Sequence, residues 1–126
     1  MSAGAVLQAA AMARLAGLGR VFDAPPVRGA MPYLVVEDPV LAAGDAAGVA
    51  GRTGTITVAC IDTGTSPVRV RALMAAAETA IGGLPADLGG GWRLTAVRLA
   101  RAQVVAGKNE RWTAAATFAV RMYRVN

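Results

Sequence analysis

Hydrophobic residues recur every three or four positions in two segments of the chain, the spacing of amphipathic helices. The first segment begins after Ser2, a residue type that caps helices, and is broken by Gly17. Its apolar stripe consists of Leu7, Ala11, Leu15 and Leu18. The second follows Ser66 and Pro67 and ends at Gly82. Its stripe consists of Val70, Leu73, Met74, Ala77 and Ile81.

Other segments have the composition or alternation of strands. Residues 33–36 are apolar throughout, which predicts a buried strand, and residues 53–62 alternate between two faces. The C-terminal part predicts a long hairpin, with one strand at about 92–105 and a second that ends near Val125. A break in the alternation between Leu94 and Val97 predicts a bulge. On the inner face of this hairpin we expect Trp92, Trp112 and Phe118.

The segment at about 40–51 contains mostly alanine and glycine, with little bulk to bury. Its length exceeds the usual connection of about 4 to 6 residues, so we expect a long flexible loop. Val40 and Leu41 near its start, Val49 near its end and Arg52 just beyond are candidate contacts with a partner.

Together these elements predict an α+β fold in one domain, 1–126, with a mostly antiparallel sheet of about four strands and two helices packed on one face. Arg93, Arg98 and Arg101 are expected at the rim of the sheet, facing solvent or a neighbour.

Composition favours a subunit that buries surface against other chains. Of 126 residues 55% are hydrophobic, yet Phe, Trp and Tyr occur only twice each, so the core must be thin. No apolar run approaches the roughly eighteen residues of a membrane span, and no signal-like N-terminus is present. We therefore expect a cytoplasmic protein without a membrane partner.

The excess of basic over acidic residues leaves two interpretations open. Lysine and arginine number 13 against 8 acids, a net charge of +5. Such an excess fits contact with nucleic acid or with an acidic partner surface. The arginines are scattered along the sequence, which is also typical of a solvated surface.

The residues needed for catalysis are sparse. The chain has no histidine and one cysteine, Cys60, which excludes an internal disulfide and a Cys/His zinc cluster. Cys60 lies on the predicted core side of its strand. Glu37 and Asp38 are adjacent carboxylates that could hold a cation, but such a pair is more typical of a turn facing water. We expect no enzyme activity, no cofactor and no metal.

One part of the sequence is more specific than the rest. Arg20-Val21-Phe22-Asp23-Ala24-Pro25-Pro26, followed by Met31-Pro32-Tyr33-Leu34-Val35-Val36, gives a short hydrophobic strand, a proline corner and a Pro-Tyr pair that opens the next strand. Together with the flanking helices and the C-terminal hairpin, this pattern resembles the tail terminator, or tail completion, proteins of long-tailed phages and bacterial gene transfer agents. The end of the threonine-rich strand, Ala59-Cys60-Ile61-Asp62, departs from that pattern.

The resemblance implies a subunit of a homo-hexameric ring that caps the tail tube, ends its growth and joins it to the head connector. The implied partners are further copies of the chain, the tail tube protein, the connector or stopper protein, and DNA that passes through the ring without sequence-specific binding. The implied location is the host cytoplasm during assembly and then the neck end of the tail. Arg98 and Arg101 are further candidates for the assembly interface.

Three alternatives remain at this point. A head completion or stopper protein of the same kind of particle is also a small α+β ring former. A basic nucleic-acid-binding module fits the charge but lacks clustered lysines and aromatic residues. A small enzyme with its site between subunits would require a pocket with convergent arginines.

Overall fold

The computed structural model describes residues 2–125, so Met1 and Asn126 lie outside the described residues. The described residues form two α-helices, a short 3-10 helix at Ala16–Leu18 and seven strands. Four strands lie between the two α-helices in sequence, and three follow the second. The helices are α1 (Ala3–Leu15) and α2 (Val68–Gly82). The strands are β1 (Arg20–Phe22), β2 (Tyr33–Val36), β3 (Val40–Ala43), β4 (Gly51–Thr63), β5 (Asp87–Gly89), β6 (Trp92–Ala106) and β7 (Arg111–Arg124).

Both predicted helices are present. α1 begins directly after its cap, Ser2, whereas α2 begins one residue later than predicted, with Pro67 in the capping position. The Ser2 hydroxyl accepts a hydrogen bond from the Ala5 amide at 3.1 Å, and the Ser66 hydroxyl accepts one from the Val68 amide at 3.3 Å. The fully buried side chains of α1 include Leu7, Ala11 and Leu15. Those buried on α2 are Val70, Met74, Ala77 and Ile81. Among residues 2–125 neither helix is both long and apolar enough to span a membrane.

The two helices pack on one side of the sheet, which we call the helix face, and contribute to one hydrophobic core with residues of β2, β4, β6 and β7. This arrangement was predicted. The opposite side, which we call the open face, carries no helix within residues 2–125, and a small apolar cluster lies at one end of it. That cluster consists of Tyr33, Val35, Ala59 and Ile61, with Phe22 and Met31 against it.

The sheet has seven strands, so the prediction of about four was wrong in number. Its order is β1-β2-β4-β7-β6-β5, and β3 pairs with β4 alongside β2. Five pairings are antiparallel and the β1–β2 pairing is parallel, which makes the sheet mixed. The missed strands β3 and β5 have four and three residues, too few for alternation to identify them. β1 is the short hydrophobic strand expected before the proline corner.

The segment predicted as a loop at about 40–51 begins with a short strand that forms a hairpin with β4. Val40–Ala43 forms β3, which pairs with β4 in the register Val40 with Thr55 through Ala43 with Arg52. Beyond it, the Gly44 amide bonds the Gly51 carbonyl at 3.0 Å, and Ala46 and Val49 exchange two backbone hydrogen bonds. The loop proper is therefore short, and a Cβ on Gly54 would overlap the Val40 carbonyl oxygen, so glycine lets β3 approach.

The C-terminal hairpin is present and contains two register shifts in β6. The predicted bulge lies between Leu94 and Ala96, and a second lies between Leu99 and Arg101. Trp92 and Phe118 are buried in the core, as predicted. Trp112 packs against the core while partly exposed, and its indole donates to the Gly64 carbonyl at 2.9 Å.

Candidate assembly surface

The described residues offer little for catalysis. Within residues 2–125 no three residues of the types His, Cys, Asp or Glu cluster closely enough to hold a metal ion. Burial, and secondarily the charge of Glu78, raise the pKa of the Cys60 thiol to about 12. Because the thiolate is the reactive form, Cys60 is a small buried hydrophobic side chain at physiological pH, as its strand position predicts.

The candidates on the β3–β4 hairpin differ in exposure. Val40 is 73% exposed and Val49 is 42% exposed, so both present apolar surface to solvent. Leu41 points to the helix face and packs against the main core. Of these three, Val40 and Val49 are accessible at the surface, whereas Leu41 anchors β3 to its own domain.

Arg52 lies inward rather than reaching away from the domain. Its guanidinium lies 5.4 Å from the centre of the Trp92 ring and donates to the Gly51 carbonyl at 2.7 Å. Asp45 lies 3.9 Å away and also accepts the Gly51 amide at 2.9 Å. These contacts hold the hairpin base against β6 within one chain.

Arg98 and Arg101 are exposed on the open face of β6. Arg98 pairs in register with Ala119 and Arg101 with Thr117, and both partners face away from the helices. Ala119 in turn pairs with Thr55 and Thr55 with Val40. The structure therefore places Val40 and Arg98 in one row across the sheet, about 14 Å apart at ordinary strand spacing. We call Arg98 and Arg101 the arginine edge.

At the other end of the open face lies a recess of about 430 Å³ that the sequence analysis missed. Three exposed carboxylates line it together with the buried side chains of Tyr33 and Val35. These carboxylates are Asp23, Glu37 and Asp38, and we call the site the acidic recess. The sequence positions of two of these residues could have indicated the site. Asp23 directly follows β1 and Glu37 directly follows β2, and these two neighbouring strands are parallel, so they end on the same side of the sheet.

One cation also lines the acidic recess. The guanidinium of Arg111, on β7, donates to the Tyr33 hydroxyl at 2.7 Å. Among residues 2–125 the oppositely charged pairs within 4.0 Å are Arg52 with Asp45 and Arg69 with Asp62. The three carboxylates of the recess and the two guanidiniums of the arginine edge therefore have no ion-pair partner in the described part of their own chain.

Asp62 at the end of β4 is buried and tied to the start of α2. Both of its carboxylate oxygens accept hydrogen bonds from the Arg69 guanidinium, and one also accepts the Thr63 amide at 2.8 Å. The Arg69 hydrogen bonds hold the pKa of Asp62 below its ordinary value, against the opposing effect of burial. This pair is structural, since it fixes the helix to the sheet.

The fold and its surfaces define a class of protein before any comparison is made. Within residues 2–125 the chain is a small α+β domain whose second sheet face carries no helix and whose charges at both ends of that face have no ion-pair partner. Such a face is a candidate surface for contact with other chains.

Comparison with known proteins specifies the family. Residues 3–123 match the family described as "Tail completion protein gp17", and the chain belongs to that family. The fold is similar to a chain of a solved structure, the virion of a native gene transfer agent particle, with a TM-score of 0.82 and 25% sequence identity. The match covers 98% of this chain and 99% of that one. No curated protein matches the sequence. The chain is thus a tail completion protein, a structural component, as the resemblance of its sequence indicated.

Proposed function

We propose that six copies of this chain form a ring at the end of a tail tube, where the ring ends tube growth and joins the tail to the head connector. The observation that carries the proposal is the whole-length match to a chain of an assembled gene transfer agent virion.

The open surfaces of the subunit support this proposal. An exposed Val40, an arginine edge and an acidic recess give one chain both apolar and charged contacts for neighbours. Lasting assemblies commonly bury about 2,000 Å² or more per interface. In the proposed particle the further partners are the tail tube protein and the connector or stopper protein, and DNA passes through the ring without sequence-specific contacts.

The test is to remove the chain from cells that produce the particle and to measure the length of the tail tubes by electron microscopy. If the ring ends polymerisation, its loss gives tubes of uncontrolled length without heads. Tubes of normal length that fail to join heads would instead assign the chain to head completion. The mass of the complex in intact particles then gives the copy number, and any number other than six contradicts the proposed ring.

We further propose that the segment at about 40–51 becomes more ordered when the ring docks. Residues 42–50 are exposed in the single chain, so the hydrogen bonds of this hairpin tip have little apolar packing over them. Amide hydrogen exchange on the free subunit and on assembled tails tests this. Strong protection of the tip in both states would show that the subunit orders it without partners.

A further inference from the structure

We propose that the arginine edge of one copy binds the acidic recess of the next copy, and that this is the contact which closes the ring. The inference rests on the proposed ring and specifies which two surfaces form it. The arginine edge is Arg98 and Arg101 of β6, and the acidic recess is the site bounded by Asp23, Glu37 and Asp38.

Charge complementarity is the first argument. Three of the eight acids of the chain line one recess, and none of the three has an ion-pair partner within residues 2–125. The two exposed guanidiniums of the arginine edge also have no ion-pair partner within residues 2–125. In a chain of net charge +5, an acidic site is the less common feature, and an arginine is its natural complement.

The recess also suits the shape of an arginine side chain. Its floor is apolar and is formed by Tyr33, Val35, Ala59 and Ile61, all of them buried. Its carboxylates lie on exposed residues at the rim. An arginine places its methylene stem on apolar surface while its planar guanidinium binds carboxylates in a bidentate manner.

Topology decides which copy can supply that arginine. Glu37 follows β2 and its amide bonds the Thr57 carbonyl at 3.0 Å, while Thr57 pairs with Thr117 and Thr117 with Arg101. Glu37 and Arg101 therefore lie in one row across the sheet but are separated by β4 and β7. At ordinary strand spacing their backbones are roughly 14 Å apart. Within one chain they stay apart, whereas a neighbouring copy can bring them into contact.

The two surfaces are different patches of one sheet face, so they can meet in two ways. In a two-fold pair both contacts form reciprocally between the same two chains, whereas in a head-to-tail contact each surface binds a different neighbour. A head-to-tail contact between identical chains either closes into a ring or continues as a filament, and the proposed ring requires this arrangement. A dimer as the end point of self-association in sedimentation velocity would show the reciprocal pair and would contradict the ring contact.

The test uses two charge-reversed variants, Arg98→Glu with Arg101→Glu, and Glu37→Arg with Asp38→Arg. Each variant alone places like charges at every contact, so we expect its self-association to weaken about 100-fold or more in sedimentation velocity. In an equimolar mixture the variants alternate, every contact again joins opposite charges, and association returns to near the parental level. This recovery requires the two surfaces to meet each other.

Matched controls change the net charge equally at positions outside both surfaces. Arg71→Glu with Lys108→Glu controls the first variant, and Glu78→Arg with Glu110→Arg controls the second. Both controls should associate like the parent, and thermal melting verifies that all four proteins fold.

The outcomes separate this contact from the ring itself. If the parent and both reversed variants associate equally, the ring stands and this contact is wrong. If each variant fails to associate alone and the two also fail to associate in the mixture, each surface binds something other than its proposed partner. The contact is then again wrong. Variant rings that form normally but lose salt-dependent DNA binding would place the arginine edge on the channel.

A parent chain that stays monomeric in solution moves the test to assembled tails. Gln103→Cys, beside the arginine edge, and Ala24→Cys, in the acidic recess, are combined in one chain. Cys60 is buried and does not interfere. Mild oxidation of tails should give a ladder of linked chains from the double variant and none from either single variant. Absence of the ladder in assembled tails overturns the contact while leaving the measured copy number of the ring intact.

Discussion

β6 and β7 are the two arms of one hairpin, and they have nearly equal length, 15 and 14 residues, but different surroundings. Beyond the partly exposed Trp112, the inward side chains of β7 are buried, and they are Ala114, Ala116, Phe118, Val120 and Met122. On β6 the corresponding positions are buried only at the start, and Leu99 and Val104 are 46% and 37% exposed. Alternation along a strand thus specifies which side chains share a face and leaves open whether anything covers that face.

The difference follows from position in the sheet. β7 lies between β4 and β6, and α2 packs over it. β6 has β5 beside only its first residues, so the outer side of β6 from Thr95 to Ala106 has no neighbouring strand in residues 2–125. Covered and uncovered parts of the same hairpin should therefore respond differently to matched substitutions.

The largest effect is expected for Phe118→Ala in β7. Phe118 is 2% exposed within the main core, and its loss should leave a cavity that destabilises the folded subunit by about 3 to 5 kcal/mol. Denaturant unfolding of the parent and the variant measures this. A variant that unfolds like the parent would mean that the β7 side of the hairpin is no better packed than the β6 side.

A smaller loss is expected on the covered side when Asp62 is protonated. The Arg69 hydrogen bonds lower the pKa of Asp62 in the folded chain, so their stabilisation is present above the ordinary pKa of the carboxyl group. It is lost as pH falls through the lowered value. The effect is smaller than that of Phe118→Ala because Arg69 is exposed and solvent screens its attraction.

Unfolding measured from neutral to acid pH checks this dependence, with Asp62→Asn as the comparison. The variant lacks the titrating group, so its stability should fall less steeply on acidification. Equal slopes for the two proteins would show that the pair does not contribute.

The smallest effect is expected for Leu99→Ala, the register partner of Phe118 on β6. Because Leu99 is about half exposed in the single chain, its truncation should cost less than about 1 kcal/mol. The same denaturation experiment measures it beside Phe118→Ala. A loss as large as that of Phe118→Ala would show that β6 is covered in the free subunit and would remove the contrast between the strands.

Much of the fold was predictable because its main elements are long and regular. Both helices, β4, the C-terminal hairpin and the bulge near Leu94 follow from local periodicity and capping residues. The short strands β3 and β5 were not predictable, since their few residues pair only because a neighbouring strand is already in place.

The candidate surface was predictable only in part, for a similar reason. Arg98 and Arg101 were expected at the rim of the sheet, but their opposite parity did not indicate that they share a face, which the register shift between Leu99 and Arg101 brings about. The acidic recess was missed because Asp23 and Glu37 lie 14 positions apart in sequence and meet only through the parallel pairing of β1 with β2. Arg52 gave no local signal of its contact with Trp92, which depends on tertiary packing.

The two bulges of β6 have a consequence for the protein before it assembles. A long regular strand at the rim of a sheet is a template on which other chains add strands and aggregate. The register shifts at Leu94/Ala96 and Leu99/Arg101 interrupt that template about every five residues, and the charges of Arg98 and Arg101 repel an identical rim. We therefore expect free subunits, with β6 exposed, to resist fibril-like growth through backbone pairing.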